Sequence, residues 1–310
     1  GGHGTASGMA TVFQDPALLN WPDGADLGLT TATIGLLCGI FGGMIIINYS
    51  VRKKYTKIIT EPAAADQVKE IFVKEEREPA AYLTVSQDVV EPFAFHLGII
   101  GIAILMGQFI VWGFGKVFTY TGLPLFPFAM IGGWILNSMI QKTSLRHLLD
   151  RRIFQRIQGM ALEILVVGAM ASIKVPVVVA YWLPLLIGSI VIMAFMLVWL
   201  FWLSPHIFQE CWFEQGIIRY GAFAGVAAVG YMLLRTVDPK METDAGTIYA
   251  LGCPLMSPFI GGGLVTTAYP YIINSIGPLA AGLIFCGASI AVLIVLRMTL
   301  WNKHPQKAQR

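Results

Sequence analysis

Charge is what this chain has least of. Only 13% of its 310 residues are Asp, Glu, Lys or Arg, against roughly 25% in soluble domains. With 56% hydrophobic residues and a mean hydropathy of +0.68, that scarcity excludes an ordinary soluble globule and indicates an all-α, polytopic membrane protein. Basic patches interleaved with aromatics are lacking, which removes nucleic acid as a partner. The four cysteines, Cys38, Cys211, Cys253 and Cys286, contain no CxxC spacing and read as small buried thiols rather than metal ligands. Paired His, Asp or Glu on facing spans are lacking too. Glu163 stands alone and His96 lies at the start of a span. An intramembrane enzyme would need such a pair, so the chain reads as no enzyme and as needing no cofactor.

What is present is clustered glycine. The chain opens on Gly1-Gly2-His3-Gly4-Thr5, followed by Ser7 and Gly8, and a second glycine-punctuated stretch runs from Gly221 through Gly225 to Gly230. Each is followed by a further cluster inside an apolar run, Gly42-Gly43 and Gly261-Gly262-Gly263. Small, glycine-dense backbone beside membrane spans marks re-entrant hairpins, where free N–H and C=O groups meet an ion or substrate at membrane depth. The chain therefore reads as two copies of one unit, the first truncated. It begins with Gly and has no charged leader ahead of an apolar core, so it is expected to be a fragment of a longer protein.

Taken in order, residues 1–50 end the first repeat: a hairpin with a polar exit, interfacial Trp21 and a span over about 27–49. Gly35, Gly39 and Gly43 fall at i, i+4 and i+8, a face onto which another backbone can pack. Residues 51–92 form a linker that begins with Arg52, Lys53, Lys54 and Lys57, which the positive-inside rule places in the cytoplasm. A short surface helix is expected over Glu70–Glu78.

The second repeat is 93–298, with spans expected over 94–115, 123–141, 158–173 and 178–203, a re-entrant hairpin over 214–235, a span over 246–269 broken by Pro254, Pro258 and the triple glycine, and an extra C-terminal span over 275–297. Residues 142–157, basic and carrying Leu145, Leu148, Leu149 and Ile153, are expected to form an interfacial amphipathic helix. Glu163 is either an intramembrane functional carboxylate or the partner of Arg152 or Arg156. Residues 299–310 form a basic cytoplasmic tail.

Gly1-Gly2-His3-Gly4-Thr5, the following Ala32-Thr33-Ile34-Gly35-Leu36 and Gly42-Gly43 before a basic loop resemble the bacterial glutamate:sodium symporters. Leu123-Pro124 through Ile135-Leu136-Asn137-Ser138 and the two-repeat layout extend the likeness. The resemblance implies inverted repeats with two re-entrant hairpins, a homodimer in the plasma (inner) membrane, and alternating-access symport of L-glutamate or a similar carboxylate with sodium. The chain departs from the family in its second hairpin, where Tyr220-Gly221-Ala222-Phe223-Ala224-Gly225 replaces a Gly-His-Cys-Gly-Phe-Gly-Leu-Gly run. The alternatives are a related carrier of another organic anion, such as citrate or malate, and a non-transporting membrane scaffold.

A carboxylate at the bilayer midplane needs donors that cost less than a lone lysine, and half-helix N-termini supply them. The expected substrate-binding residues are Gly2, His3, Gly4, Thr5 and Ser7 at the first tip and Gly221, Ala222 and Gly225 at the second. Thr5 and Thr33 are expected oxygen ligands for sodium. His3 is either a hydrogen-bonded structural residue or a substrate or proton partner. Arg235 is either a cytoplasmic anchor or a bidentate substrate ligand at the cavity mouth.

Overall fold

The computed structural model describes residues 2–58, 79 and 81–299, except 17, 83, 87, 89, 118–123, 209, 240, 257, 258, 260 and 262. The expected helix at Glu70–Glu78, the tail beyond Thr299, Gly1, Leu123, Ser257, Pro258 and Gly262 lie outside the described residues. Among those described there is no strand, and five helices are long and apolar enough to cross a membrane. The chain is an all-α polytopic membrane protein.

The glycine-rich opening is helical rather than a loop. Helix α1 spans His3–Gln14, and Gly2, in extended backbone, caps it. The first membrane crossing, Gly24–Arg52, is made of α2 (Gly24–Leu37), a π-helical turn (Cys38–Gly42) and α3 (Gly43–Arg52). Trp21, between α1 and α2, stacks edge-on against Phe13 and Tyr181. After the linker come α4 (Pro92–Val117) and α5 (Leu125–Ile140). These two pack backbone to backbone because they cross at glycines. A Cβ on Gly107 would sit 2.5 Å from the Ala129 Cα, and one on Gly132 would sit 2.5 Å from the Ala103 carbonyl oxygen.

The expected amphipathic helix over 142–157 does not form as one piece. Residues Ser144–Leu148 make a single 3-10 turn, and a new helix, α6 (Arg151–Ala171), starts at Arg151 and runs into the membrane. The physical reason is a cap: Asp150 Oδ1 accepts the Arg152 amide at 2.8 Å, fixing a helix start where continuous periodicity was read. Arg152 is engaged by the Pro79 carbonyl and the Tyr82 ring, and Glu163 is exposed on α6, so the proposed pairing of Glu163 with Arg152 is absent.

A short helix, α7 (Val175–Ala180), leads to the next crossing, Trp182–Ile207, made of α8 (Trp182–Val198), a second π-helical turn (Trp199–Leu203) and α9 (Ser204–Ile207). Lys174, which caps α7, gives its amide to Asp26 Oδ1 at 3.1 Å and its ammonium to Oδ2 at 3.7 Å, tying α7 to α2. Then follow α10 (Trp212–Ala224) and α11 (Ala227–Val237), an antiparallel pair. At 13 and 11 residues they are about 20 and 17 Å long, too short for a hydrocarbon core of about 30 Å. The segment expected as one broken span is two helices, α12 (Ala245–Met256) and α13 (Leu264–Ile276), and α14 (Pro278–Thr299) ends the described chain.

One polar strap holds the linker's far end to this bundle. Asp150 Oδ2 accepts the Tyr82 amide at 2.6 Å, and the Thr84 hydroxyl donates to the Leu148 carbonyl at 2.7 Å. His96, fully buried, accepts the Asp150 amide at Nε2 (2.9 Å), so its proton lies on Nδ1 and is donated to the Pro92 carbonyl at 2.6 Å. The Tyr82 amide, with the Arg152 amide and charge beside it, holds the Asp150 carboxyl below the usual carboxylate range. The strap's stabilisation is therefore complete above the ordinary Asp pKa and is lost as pH falls through the depressed value. Asp150→Asn is expected to raise amide exchange over 79–86 at neutral pH, and acidification of the native protein below about pH 4 to do the same; equal exchange in both proteins at every pH would refute the strap.

Candidate functional site

The core of the molecule is the seam between the first crossing and the α10–α11 pair. Ile46, Ile47, Val51, Phe213, Ile217, Ile218, Val229, Leu233 and Leu234 form one buried cluster along it. Glycine sets how close the two backbones come. A Cβ on Gly35 would lie 2.3 Å from the Ala224 carbonyl oxygen, one on Gly42 2.7 Å from the Tyr220 hydroxyl, and one on Gly43 2.5 Å from Leu233 Cδ1. A Cβ on Gly39 would meet the Ala224 Cβ at an ordinary 3.4 Å. The glycine face read from spacing is thus the bed of the second hairpin. The π-helical turn lies in this contact. Tyr220 reaches into it and donates its hydroxyl to the Cys38 carbonyl at 3.2 Å, a distortion of the kind that recurs at functional positions.

Three breaks in helical backbone are linked here. The first is the start of α1, at Gly2. The second is Gly225–Val226, between α10 and α11. The third lies between α12 and α13. The two tips touch: a Cβ on Gly2 would lie 3.2 Å from Val226 Cγ1 and 3.4 Å from the Gly225 carbonyl oxygen. The Thr5 hydroxyl then donates to the Gly261 carbonyl in the third break at 3.1 Å. Gly261 has φ +74, and Gly263 caps α13 in the same extended conformation that Gly2 adopts at α1. The N-termini of α1, α11 and α13 each begin at one of these linked breaks, so their positive dipole ends and unpaired amides suit an anion.

The other expected site residues divide. His3 is buried and bonds through Nε2 to Thr33 Oγ1 at 3.0 Å. The Thr33 hydroxyl proton goes to the Leu29 carbonyl at 3.0 Å, so Thr33 accepts and His3 donates. This bond pins α1 to α2 and accounts for the structural role of His3. Ser7 lies one turn beyond His3 on the same side of α1, away from Thr5. Gly4 is exposed, and a Cβ there would meet only Leu165 Cδ2, at an ordinary 3.4 Å. Gly221 and Ala222 serve the packing of the hairpin itself. A Cβ on Gly221 would lie 2.8 Å from Gly230 Cα, and one on Gly230 3.2 Å from the Ala222 Cβ. Arg235 is exposed at the far end of α11, about 15 Å along the helix from the tip at Gly225, and so is not brought to the tips. Beside it, Asp238 accepts the Glu242 and Thr243 amides and the Thr243 hydroxyl, bracketing the turn into α12.

Sequence reading missed the third break as part of this constellation. Its signal was present in the triple glycine and in Thr5, but their meeting spans 256 positions. Two grooves lie elsewhere, between α2 and α8 and between α4 and α5, and contain none of the tip residues.

A family model described as sodium/glutamate symporter matches residues 1–209. No curated protein and no solved structure gives a significant match. The match stops short of α10, so the α10–α11 pair lies outside the matched residues.

The glycine bed carries a direct consequence. Gly35→Ala is expected to destabilise the seam by about 1–3 kcal/mol through overpacking, because its Cβ would displace the Ala224 carbonyl. Gly4→Ala, with only an ordinary contact to Leu165, is expected to leave thermal stability in detergent within about 1 kcal/mol of the native value. Comparable losses in the two variants would show that the close approach at Gly35 does not limit the seam.

Proposed function

Because the chain belongs to the sodium/glutamate symporter family, we propose that it carries L-glutamate or a close carboxylate analogue, coupled to sodium, through a site at the meeting of its hairpin tips. It is a secondary transporter and a multi-pass protein of the plasma membrane. The observation that carries the site is the contact of Gly2 with Gly225 and Val226. A substrate carboxylate held there is met by amides at the start of α1 and α11, and the Thr5 hydroxyl turns to it by giving up its bond to the Gly261 carbonyl. The open Gly4 position lets the anion approach the α1 backbone without a side chain in the way. Sodium, a hard cation, is served by backbone carbonyls at the breaks and by the threonine oxygens of Thr5 and Thr33.

The α1 arm and the α10–α11 pair act as re-entrant hairpins entering from opposite faces in repeats of inverted topology. Alternating access is then movement of the hairpin-bearing part against the remaining spans. The charge rule puts residues 51–92, the 142–157 segment and the tail on the cytoplasmic side. The protein acts as a homodimer. In support of that reading, α8 presents Leu186, Ile190, Ile192 and Phe195 on its exposed surface, apolar area suited to lipid or a second copy.

Radiolabelled glutamate uptake into proteoliposomes, with and without an inward sodium gradient, tests the activity. Uptake is expected only with the gradient. Gly4→Val is expected to reduce it at least tenfold, roughly 1.4 kcal/mol, with normal membrane insertion, and Thr5→Val to weaken substrate affinity more than Thr5→Ser. Normal uptake and affinity in Gly4→Val would place the substrate elsewhere.

A further inference from the structure

Two buried side-chain polar atoms among the described residues have no hydrogen-bond partner: Ser50 Oγ and Glu214 Oε2. Ser50 lies on the last turn of α3 and Glu214 on the first turn of α10. These are the two elements that close on each other at the basic side of the membrane. There the Tyr55 ring covers Trp212, with centroids 5.4 Å apart, and the Lys57 amide donates to Glu214 Oε1 at 2.6 Å. Glu214 is fully buried. One of its oxygens is therefore satisfied by a neutral donor and the other by nothing.

The charged and titratable groups facing it come from each packed element. From the turn after α3, Lys57 offers its amide and an ammonium that lies 3.7 Å from Glu210 and is also held by Cys211; the ammonium's positive charge favours an ionised Glu214 but does not outweigh its burial. Cys211 precedes α10 and interacts with both Glu214 and Lys57. Asp238, at the end of α11, is close enough to repel a negative charge on Glu214, and its own oxygens are taken by Glu242 and Thr243. A bare carboxylate oxygen without water or a cation is far more costly here than a neutral O–H.

We propose that Glu214 is a proton-binding site that links closure of the α10–α11 hairpin to the pH on the basic, cytoplasmic side of the membrane. With the proton on Oε2, the start of α10 seals against residues 55–57. When that O–H bond breaks, the proton passes to water on the basic side, and the carboxylate draws water in and loosens the seal. The coupling to hairpin movement rests on the transporter reading above; the protonation site itself does not.

Amide exchange of full-length protein in nanodiscs measures the seal at the Lys57 amide, after correction for intrinsic exchange. Its protection in the native protein is expected to fall by up to about tenfold per pH unit once Glu214 titrates. In Glu214→Gln, which keeps the Oε1 acceptor, protection is expected to be independent of pH, whereas Glu214→Asp is expected to keep a slope. A native protein without a slope, or Glu214→Gln with the native slope, overturns the proposal. In proteoliposomes with a fixed sodium gradient, the same Gln variant is expected to lose the pH dependence of glutamate uptake at the basic face, and retention of it overturns the coupling. A slope at Lys57 together with no glutamate uptake by the native protein supports the proton site and refutes the substrate instead.

Discussion

The constraint on which the rest of this molecule depends is the bed that the first crossing offers to the second hairpin. At Gly35 the space above the helix is filled by a carbonyl oxygen of α10, and at Gly43 by Leu233 of α11. No side chain fits between. Without a hydrophobic drive between helices in lipid, such close approach is what holds them, through dispersion contacts made dense by the missing side chains. Everything at the site follows from it. The seam sets the height at which Gly225 and Val226 stop, and that height brings them to Gly2.

The second consequence is where broken backbone is tolerated. Unpaired amides and carbonyls at membrane depth survive only when buried in protein or turned to a polar cavity. The structure groups its breaks accordingly. The start of α1 meets the tip between α10 and α11, and Thr5 ties α1 to the Gly261 carbonyl in the break before α13. The π-helical turn at Cys38–Gly42 belongs to the same region and presents a carbonyl to Tyr220. His3 and Thr33 hold α1 in register against α2 with a single directed bond. The breaks leave short helices between them, of the kind that can shift as units. The base of the second hairpin is built differently. Its seal is aromatic and contains a carboxyl with one unsatisfied oxygen, which makes closure there conditional where the tip contacts are steric.

The sequence by itself determined the class of the protein. Low charge and long apolar runs can only be solvated by a bilayer, and glycine clusters beside spans mark bent backbone. The face Gly35, Gly39, Gly43, the helical breaks near Gly225 and in the triple-glycine region, and the resemblance carried by Gly1 to Thr5 were all legible because they are local patterns. Local periodicity was not enough where a cap or a contact with another element decided the outcome. The 142–157 segment has amphipathic spacing, yet Asp150 caps a new helix at Arg151 while also gripping Tyr82 and the His96 pair. Arg235 reads either as a cytoplasmic anchor or as a substrate ligand, and α11 places it at the end far from the tip. Gly221 and Ala222 are drawn into packing by Gly230. Which oxygens and amides meet at the site, and that Glu214 lies buried with an idle oxygen, were decided only by tertiary structure. The physical reason is that burial and hydrogen-bond satisfaction depend on residues brought together from distant parts of the chain, such as Lys57 and Glu214 or Thr5 and Gly261, and no periodicity within either segment specifies that meeting.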